Sequence, residues 1–170
     1  MIDVKIRKVH PDAVIPTYAH PGDAGMDVTA VAINVTDDYI EYDTGLQFQL
    51  PSGYVMLIFP RSSNSKKDLL LANSVGVLDS GYTGNLKLRF KRSYKVENLP
   101  SEETDGKFTT SSILWTGDAR NYRVNACNWY EVGDRVGQIM IIPYPEINFI
   151  ETEDFEDTER GSGGFGSSGN

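Results

Sequence analysis

The sequence predicts an all-β domain, and the pattern of residues carries that prediction. Short runs of alternating apolar and polar residues recur, as in residues 2–9 (IDVKIRKV) and Leu46-Gln47-Phe48-Gln49-Leu50. A period of two belongs to a strand with one buried face. Sixteen glycines, with prolines beside them, punctuate these runs at turn positions. At 170 residues the chain is long enough for one domain with a single core, assigned to residues 1–150.

Composition excludes several classes of function. No run of 18 apolar residues occurs, so no membrane span or membrane partner is expected. Met1-Ile2-Asp3 lacks the basic start and apolar stretch of a signal peptide, and the expected location is the cytoplasm. The single cysteine, Cys127, agrees with a reducing compartment. His10 and His20 stand without metal-ligand spacing and read as surface residues, and no serine–histidine–acid constellation is present. The formal charge of −8 argues against a groove for polymeric nucleic acid. Residues 151–159 (ETEDFEDTE) hold six of the 24 acids, so the body is nearly neutral and can still bind a small polyanion through a few arginines.

In order, residues 2–9 read as a half-buried first strand, and residues 10–23, with three prolines, as a loop. AGMDVTA (24–30) follows as a strand that sets Asp27 on the face opposite Met26 and Val28. A turn is expected around Asp43-Thr44-Gly45, and another at Pro51-Ser52-Gly53. Tyr54–Phe59 is a continuous apolar run suited to a central strand, and it delivers the chain to Pro60-Arg61-Ser62-Ser63. A guanidinium fork and two short hydroxyls make a compact seat for an anion, although serines there also suit a helix start.

Residues 73–87 (NSVGVLDSGYTGNLK) read as a β-hairpin, two alternating runs joined through a glycine-containing turn. Asp79 at the mouth of that turn, with Tyr82 three residues on, can present a basic oxygen and a flat ring to a small ligand. Residues 93–132 form a forty-residue segment, polar first and then aromatic, read as an extra strand pair at 111–116 and 122–126. Arg135 to Ile142 suits a buried strand, in which Arg135 and Gln138 each require a bonding partner. Beyond the acidic spacer 151–159, residues 160–170 hold five glycines and three serines, the composition of a flexible arm.

The stretch 73–87 resembles the third signature motif of the trimeric dUTPases, the deoxyuridine triphosphate nucleotidohydrolases. Four more segments match that family in order: AGMDVTA (24–30), PRSSNS (60–65), GDRVGQIMIIP (133–143) and RGSGGFGSSG (160–169). The resemblance implies a jelly-roll-like homotrimer with one short helix, placed at 65–71, and a C-terminal arm. It implies hydrolysis of dUTP to dUMP and pyrophosphate with Mg²⁺, Asp79 acting as the base that orients the attacking water. Arg61, Ser62, Ser63, Gln138 and Arg160 then hold phosphate oxygens, Asn73 with the backbone of Val77 and Leu78 reads uracil, and Tyr82 packs under the sugar. Phe165 stacks on the base, Lys87 lines the same site, Arg135 is structural, and Asp27 helps to hold hydrated Mg²⁺. The long 93–132 segment is similar to enlarged insertions of some phage dUTPases, which would place the protein in a host cytoplasm.

Asn64, Asn85 and Gly137 depart from the family's usual residues, which are apolar, acidic or glutamine, and alanine in turn. Two other functions share the pattern. A regulatory protein would keep the pocket as a nucleotide switch and hold a protein partner through 93–132. A dCTP deaminase of the same fold would need a glutamate as proton carrier beside the base, and none occurs between Glu41 and Glu97.

Overall fold

The computed structural model describes residues 2–93, 96–98, 122–124 and 128–163. Eleven strands are described: β1 (Lys5–Lys8), β2 (Met26–Thr29), β3 (Ala32–Val35), β4 (Ile40–Gln49), β5 (Tyr54–Phe59), β6 (Leu69–Leu71), β7 (Gly76–Leu78), β8 (Asn85–Arg92), β9 (Val96–Asn98), β10 (Tyr122–Val124) and β11 (Arg135–Pro143). The fold is all-β, as the alternation predicts, and its only described helix is a single 3-10 segment, Ser62–Lys66.

Nine of these strands form two antiparallel sheets, and β9 and β10 pair separately. One has the order β1-β4-β8-β6, with β3 also paired to β4; the other has the order β2-β11-β5-β7. Their inner faces enclose Ile40, Tyr42, Leu46, Met56, Leu88, Phe90, Val28, Val136 and Ile139, all essentially without solvent contact. Tyr42 anchors this core: its ring meets Phe90 edge-on at 5.6 Å and Tyr130 at 5.9 Å. Its hydroxyl donates to the Tyr130 carbonyl at 3.2 Å, so a buried polar group is paired. β5 sits between β11 and β7, the central place its apolar run predicts.

Four expectations change. Residues 73–87 are not a hairpin. β7 pairs with β5, register Met56↔Leu78, whereas β8 pairs with β4 and β6, so the chain crosses from one sheet to the other between Asp79 and Gly84. Alternation reports which face a residue occupies and not which strand lies beside it. Asp43-Thr44-Gly45 is not a turn but a bulge inside β4, where the register against β8 shifts between Asp43 and Gln47. Gly45 takes φ +64°, and a Cβ there would stand 2.6 Å from the His10 Cβ; a bulge and a turn make the same demand for glycine.

The expected helix at 65–71 is the 3-10 segment Ser62–Lys66 followed by β6, because Leu69 and Leu71 are buried in period two while Leu70 is exposed. Finally, β10 begins where the second insertion strand is expected, but its partner is β9. Residues 111–116 lie outside the described residues. Within 1–150, Tyr144 onward leaves the sheets with Ile147, Phe149 and Ile150 largely exposed.

Candidate active site

The crossing between the sheets builds a cavity of about 510 Å³, a volume suited to a small organic ligand. Its wall includes Asn73, Val77, Leu78, Asp79, Tyr82 and Lys87, six residues singled out from the sequence. Asp79 enters through a tight turn in which the Tyr82 amide donates to the Asp79 carbonyl at 3.0 Å. Tyr82 folds back over Gly84, its hydroxyl donating to the Asn85 carbonyl at 3.1 Å. A Cβ on Gly84 would stand 2.5 Å from that hydroxyl, so only glycine lets the ring lie there. Ser74, in the left-handed region at φ 58°, bends the chain beside Asn73. Val77 is 62% exposed, an apolar side chain set toward the cavity and away from the core.

Three polar residues of the wall escape a reading of the sequence as site residues: Glu41, Asn85 and Arg89. Arg89 had a signal, since it follows Lys87 by two on one face of β8. Glu41 had none, because only the β4–β8 register sets it opposite Arg89. Glu41 is buried, with the Lys87 Nζ 2.9 Å from Oε1 and the Arg89 Nε 2.7 Å from Oε2. Burial pushes the Glu41 carboxyl upward, but the hydrogen bonds and charges of Lys87 and Arg89 outweigh it and hold the group below the ordinary glutamate range. The same bond raises Lys87 and Arg89 in turn.

A second cluster lies on the other sheet. The Arg61 Nε donates to Asp27 Oδ1 at 2.7 Å and its Nη1 to the Ser63 Oγ at 3.1 Å. The Arg135 Nη1 donates to the other Asp27 oxygen at 3.1 Å, the partner expected of a polar residue in this strand. The Gln138 Nε2 donates to the Pro60 carbonyl at 3.1 Å, and a Cβ on Gly25 would lie 2.9 Å from its Oε1. Ser62 is exposed beside Arg61. Asn64 braces this loop, donating to the Leu69 carbonyl at 2.8 Å and accepting from the Tyr130 hydroxyl at 3.3 Å. A polar residue at that position therefore carries two bonds that an apolar one would lack.

Within one chain the two clusters are apart. The cavity wall around Asp79 includes none of Asp27, Arg61, Ser62, Ser63 or Gln138. Leu78 pairs with Met56, five residues before Arg61, which corresponds to roughly 17 Å along an extended strand. Asp27 lies on β2, at the opposite edge of the sheet from β7. Arg160 is exposed in a terminal turn, its Nε donating to the Gly163 carbonyl at 3.0 Å. Phe165 lies outside the described residues.

Among the described residues, no three His, Cys, Asp or Glu side chains are grouped to hold a metal. Asp27, shared by two guanidinium groups, offers no cage by itself. Its lone carboxylate does fit a hydrated Mg²⁺ that arrives on a triphosphate, since that ion keeps much of its water and needs only one or two protein oxygens.

A fold of this kind, with a nucleoside-sized cavity at one sheet crossing and an arginine–serine loop elsewhere, belongs to a class of nucleotide-handling jelly rolls, and comparison with known proteins narrows it. The dUTPase family model matches residues 11–97 and 123–169. A deoxyuridine 5'-triphosphate nucleotidohydrolase of Thermobifida fusca is 30% identical over 99% of this chain and 79% of its own length. One of Cutibacterium acnes is 31% identical over 99% and 94%. The solved dUTPase of Staphylococcus bacteriophage 80alpha with dUpNHpp superposes over all of both chains with TM-score 0.74 and 27% identity; phage dUTPases are described with it as controlling transfer of virulence genes by a proto-oncogenic G protein-like mechanism. The chain belongs to the dUTPase family, whose members are dUTP diphosphatases.

Proposed function

We propose that the protein hydrolyses dUTP to dUMP and pyrophosphate in a site completed by more than one chain. The observation that carries this is the cavity around Asp79, Tyr82 and Lys87 in a chain of the dUTPase family. Uracil enters the cavity against Asn73 and the backbone of Val77 and Leu78, and the sugar lies on Tyr82, whose ring leaves no room for a 2′-hydroxyl. Asp79 accepts a hydrogen bond from a water and turns it toward the α-phosphorus; the water oxygen bonds there, its proton passes to the carboxylate, and pyrophosphate leaves.

The triphosphate needs cations, and the Arg61 cluster supplies them. Asp27 and Ser63 fix the Arg61 guanidinium, so its donors are oriented before a phosphate arrives. Ser62, Ser63, Gln138 and Arg160 add donors to the same oxygens. Mg²⁺, when bound with the substrate, would be held through water by Asp27 and would neutralise phosphate charge. The Asp79 cavity and the Arg61 cluster stand at different places of one chain, and a neighbouring copy provides the Arg61 cluster. A homotrimer satisfies that requirement. Phe165 and Arg160 on the arm then close the site and exclude water.

A deaminase is disfavoured on geometry. The one glutamate among the described residues of the cavity wall, Glu41, has both oxygens occupied by Lys87 and Arg89 and is held below the ordinary glutamate range, unlike a proton carrier. The phage 80alpha relative motivates a second role, regulation of a protein partner through residues 93–132, alongside hydrolysis. The test of the function is pyrophosphate release from dUTP, dCTP, dTTP and UTP in parallel, with and without chelator. Turnover of dUTP alone, lost with chelator and restored by Mg²⁺, is expected; equal turnover of all four would sink the reading.

A further inference from the structure

Tyr130 is buried in the core, yet its hydroxyl stands beside the arginine–serine loop, and the proposed hydrolysis gives it no part. Its place follows from its neighbours. The Tyr42 hydroxyl accepts from the Tyr130 amide at 3.1 Å and donates to its carbonyl at 3.2 Å. The Tyr130 ring lies 5.9 Å from Tyr42 and 6.0 Å from Phe90. With backbone and ring held, the hydroxyl donates to the Asn64 Oδ1 at 3.3 Å. From Asn64 the contacts run on to the arginine: its amide donates to the Arg61 carbonyl at 2.9 Å, and the Arg61 Nη1 reaches the Ser63 Oγ at 3.1 Å. Burial raises the Tyr130 phenol above its ordinary value, against the opposing pull of the Ser63 hydroxyl and the Arg61 charge, so the group stays a donor at neutral pH. The chain just after this loop also clips both ends of the 93–132 segment. The Asp68 carbonyl accepts from the Ser93 amide at 2.8 Å, and the Asp68 carboxylate accepts from the Asn128 amide at 2.9 Å. Lys67 donates to the Trp129 carbonyl at 2.6 Å and lies 5.1 Å from the Tyr130 ring centroid.

We propose that Tyr130 is a positioning residue for phosphate binding: through Asn64 it fixes the turn that carries Arg61 and Ser63, and it joins that turn to the root of the 93–132 segment. The inference rests on the nucleotide reading above and adds a residue that touches no substrate. The turn cannot hold itself. Ser62–Lys66 is a single 3-10 segment with no buried residue and no side-chain cap, so its position comes from contacts outside it. A turn that drifts by about 1 Å keeps its charge and loses the alignment of its donors. Core filling accounts for the Tyr130 ring but not for its hydroxyl, since phenylalanine would occupy the same space. Asn64 stands where the family's usual residue is apolar. An apolar side chain there would pack against the core, whereas a hydrogen bond to a buried phenol also sets a direction.

Steady-state kinetics on dUTP, competitive inhibition by deoxyuridine and melting curves test this on the full chain and on Tyr130→Phe, Arg61→Lys and the double variant. For Tyr130→Phe, kcat/KM for dUTP should fall about 3- to 10-fold, the factor of one lost hydrogen bond. The inhibition constant of deoxyuridine, which brings no phosphate to the turn, should stay within about twofold of the parent's. In a chain already carrying Arg61→Lys the guanidinium fork is gone, so the added loss from Tyr130→Phe should shrink below about twofold. General loosening of the fold would weaken deoxyuridine as much as dUTP, and that result overturns the proposal. A lower melting temperature with unchanged kinetics overturns it too, as does full additivity with Arg61→Lys. Should Tyr130→Phe not fold, Asn64→Ala, at the other end of the bond, must show the same split between dUTP and deoxyuridine; an equal effect on both overturns the proposal. A parent that leaves dUTP intact overturns the function and this inference with it, whereas an active parent with an indifferent Tyr130→Phe overturns the inference alone.

Discussion

Asp79 reaches the cavity by a turn of four residues, and nothing else in that turn carries charge. Asp79→Asn keeps the shape and removes the base, so kcat should fall by about 100-fold or more while dUTP with Mg²⁺ still binds. Calorimetric binding beside turnover checks this, and near-normal turnover would end the assignment. Gly84 makes a subtler demand. Gly84→Ala must push Tyr82 off its resting place, because the new Cβ and the tyrosine hydroxyl cannot share 2.5 Å. The ring's refusal of a 2′-hydroxyl should then weaken, lowering the dUTP-to-UTP ratio of kcat/KM by roughly tenfold. An unchanged ratio would mean that Tyr82 does not sort sugars. Glu41 also leaves a mark on stability. Its carboxyl is held below the ordinary value, so its ionised form stabilises the fold fully above about pH 4.5, and that stabilisation fades as pH falls through the depressed value. Urea midpoints between pH 7 and 3 should fall less steeply for Glu41→Gln than for the parent.

At the scale of elements, β11 and β8 are locked by a glycine. A Cβ on Gly137 would collide with the Leu88 Cδ2 and lie 3.1 Å from the Phe59 carbonyl, so alanine there overfills the space between the sheets. Gly137→Ala should cost about 1–3 kcal/mol, read as a lower denaturation midpoint. An unaltered midpoint would show that Leu88 can move aside. Much of this level was legible in the sequence. The strand at Tyr54–Phe59 is central because six consecutive apolar residues leave it no wet face. Gln138, half-buried, found a partner in the Pro60 carbonyl, whereas Arg135 lies exposed at the start of β11 and reaches Asp27 on the neighbouring strand. Partner strands were not legible: alternation in 73–87 fits a hairpin and a crossing equally, and a left-handed glycine at 45 fits a turn and a bulge. The cavity's Glu41 was hidden for the same reason, since the cross-strand register joins residues 48 positions apart. Asp27, Arg61 and Ser63 were legible as a polar group, but their mutual bonds required the β2–β11–β5 order.

At the scale of the molecule, the arm beyond the acidic spacer contributes no residue to the described core. A chain ending at Glu159 should therefore melt like the parent and lose most of its turnover, because the ordering of the arm, on the order of 1–2 kcal/mol for each backbone residue, is offset only by bound nucleotide. Normal turnover by that chain would leave the arm without a role in the reaction. The central claim is that Asp79 of one chain works with Arg61 of another, and mixing two inactive variants tests it most directly. Asp79→Asn and Arg61→Ala chains are unfolded together in urea at equal amounts, refolded and assayed for pyrophosphate release from dUTP. If each site draws the two residues from different chains, random assembly restores roughly a quarter of the parent's activity. Activity no greater than the sum of the two variants refolded separately would place both residues in the site of a single chain and contradict the account.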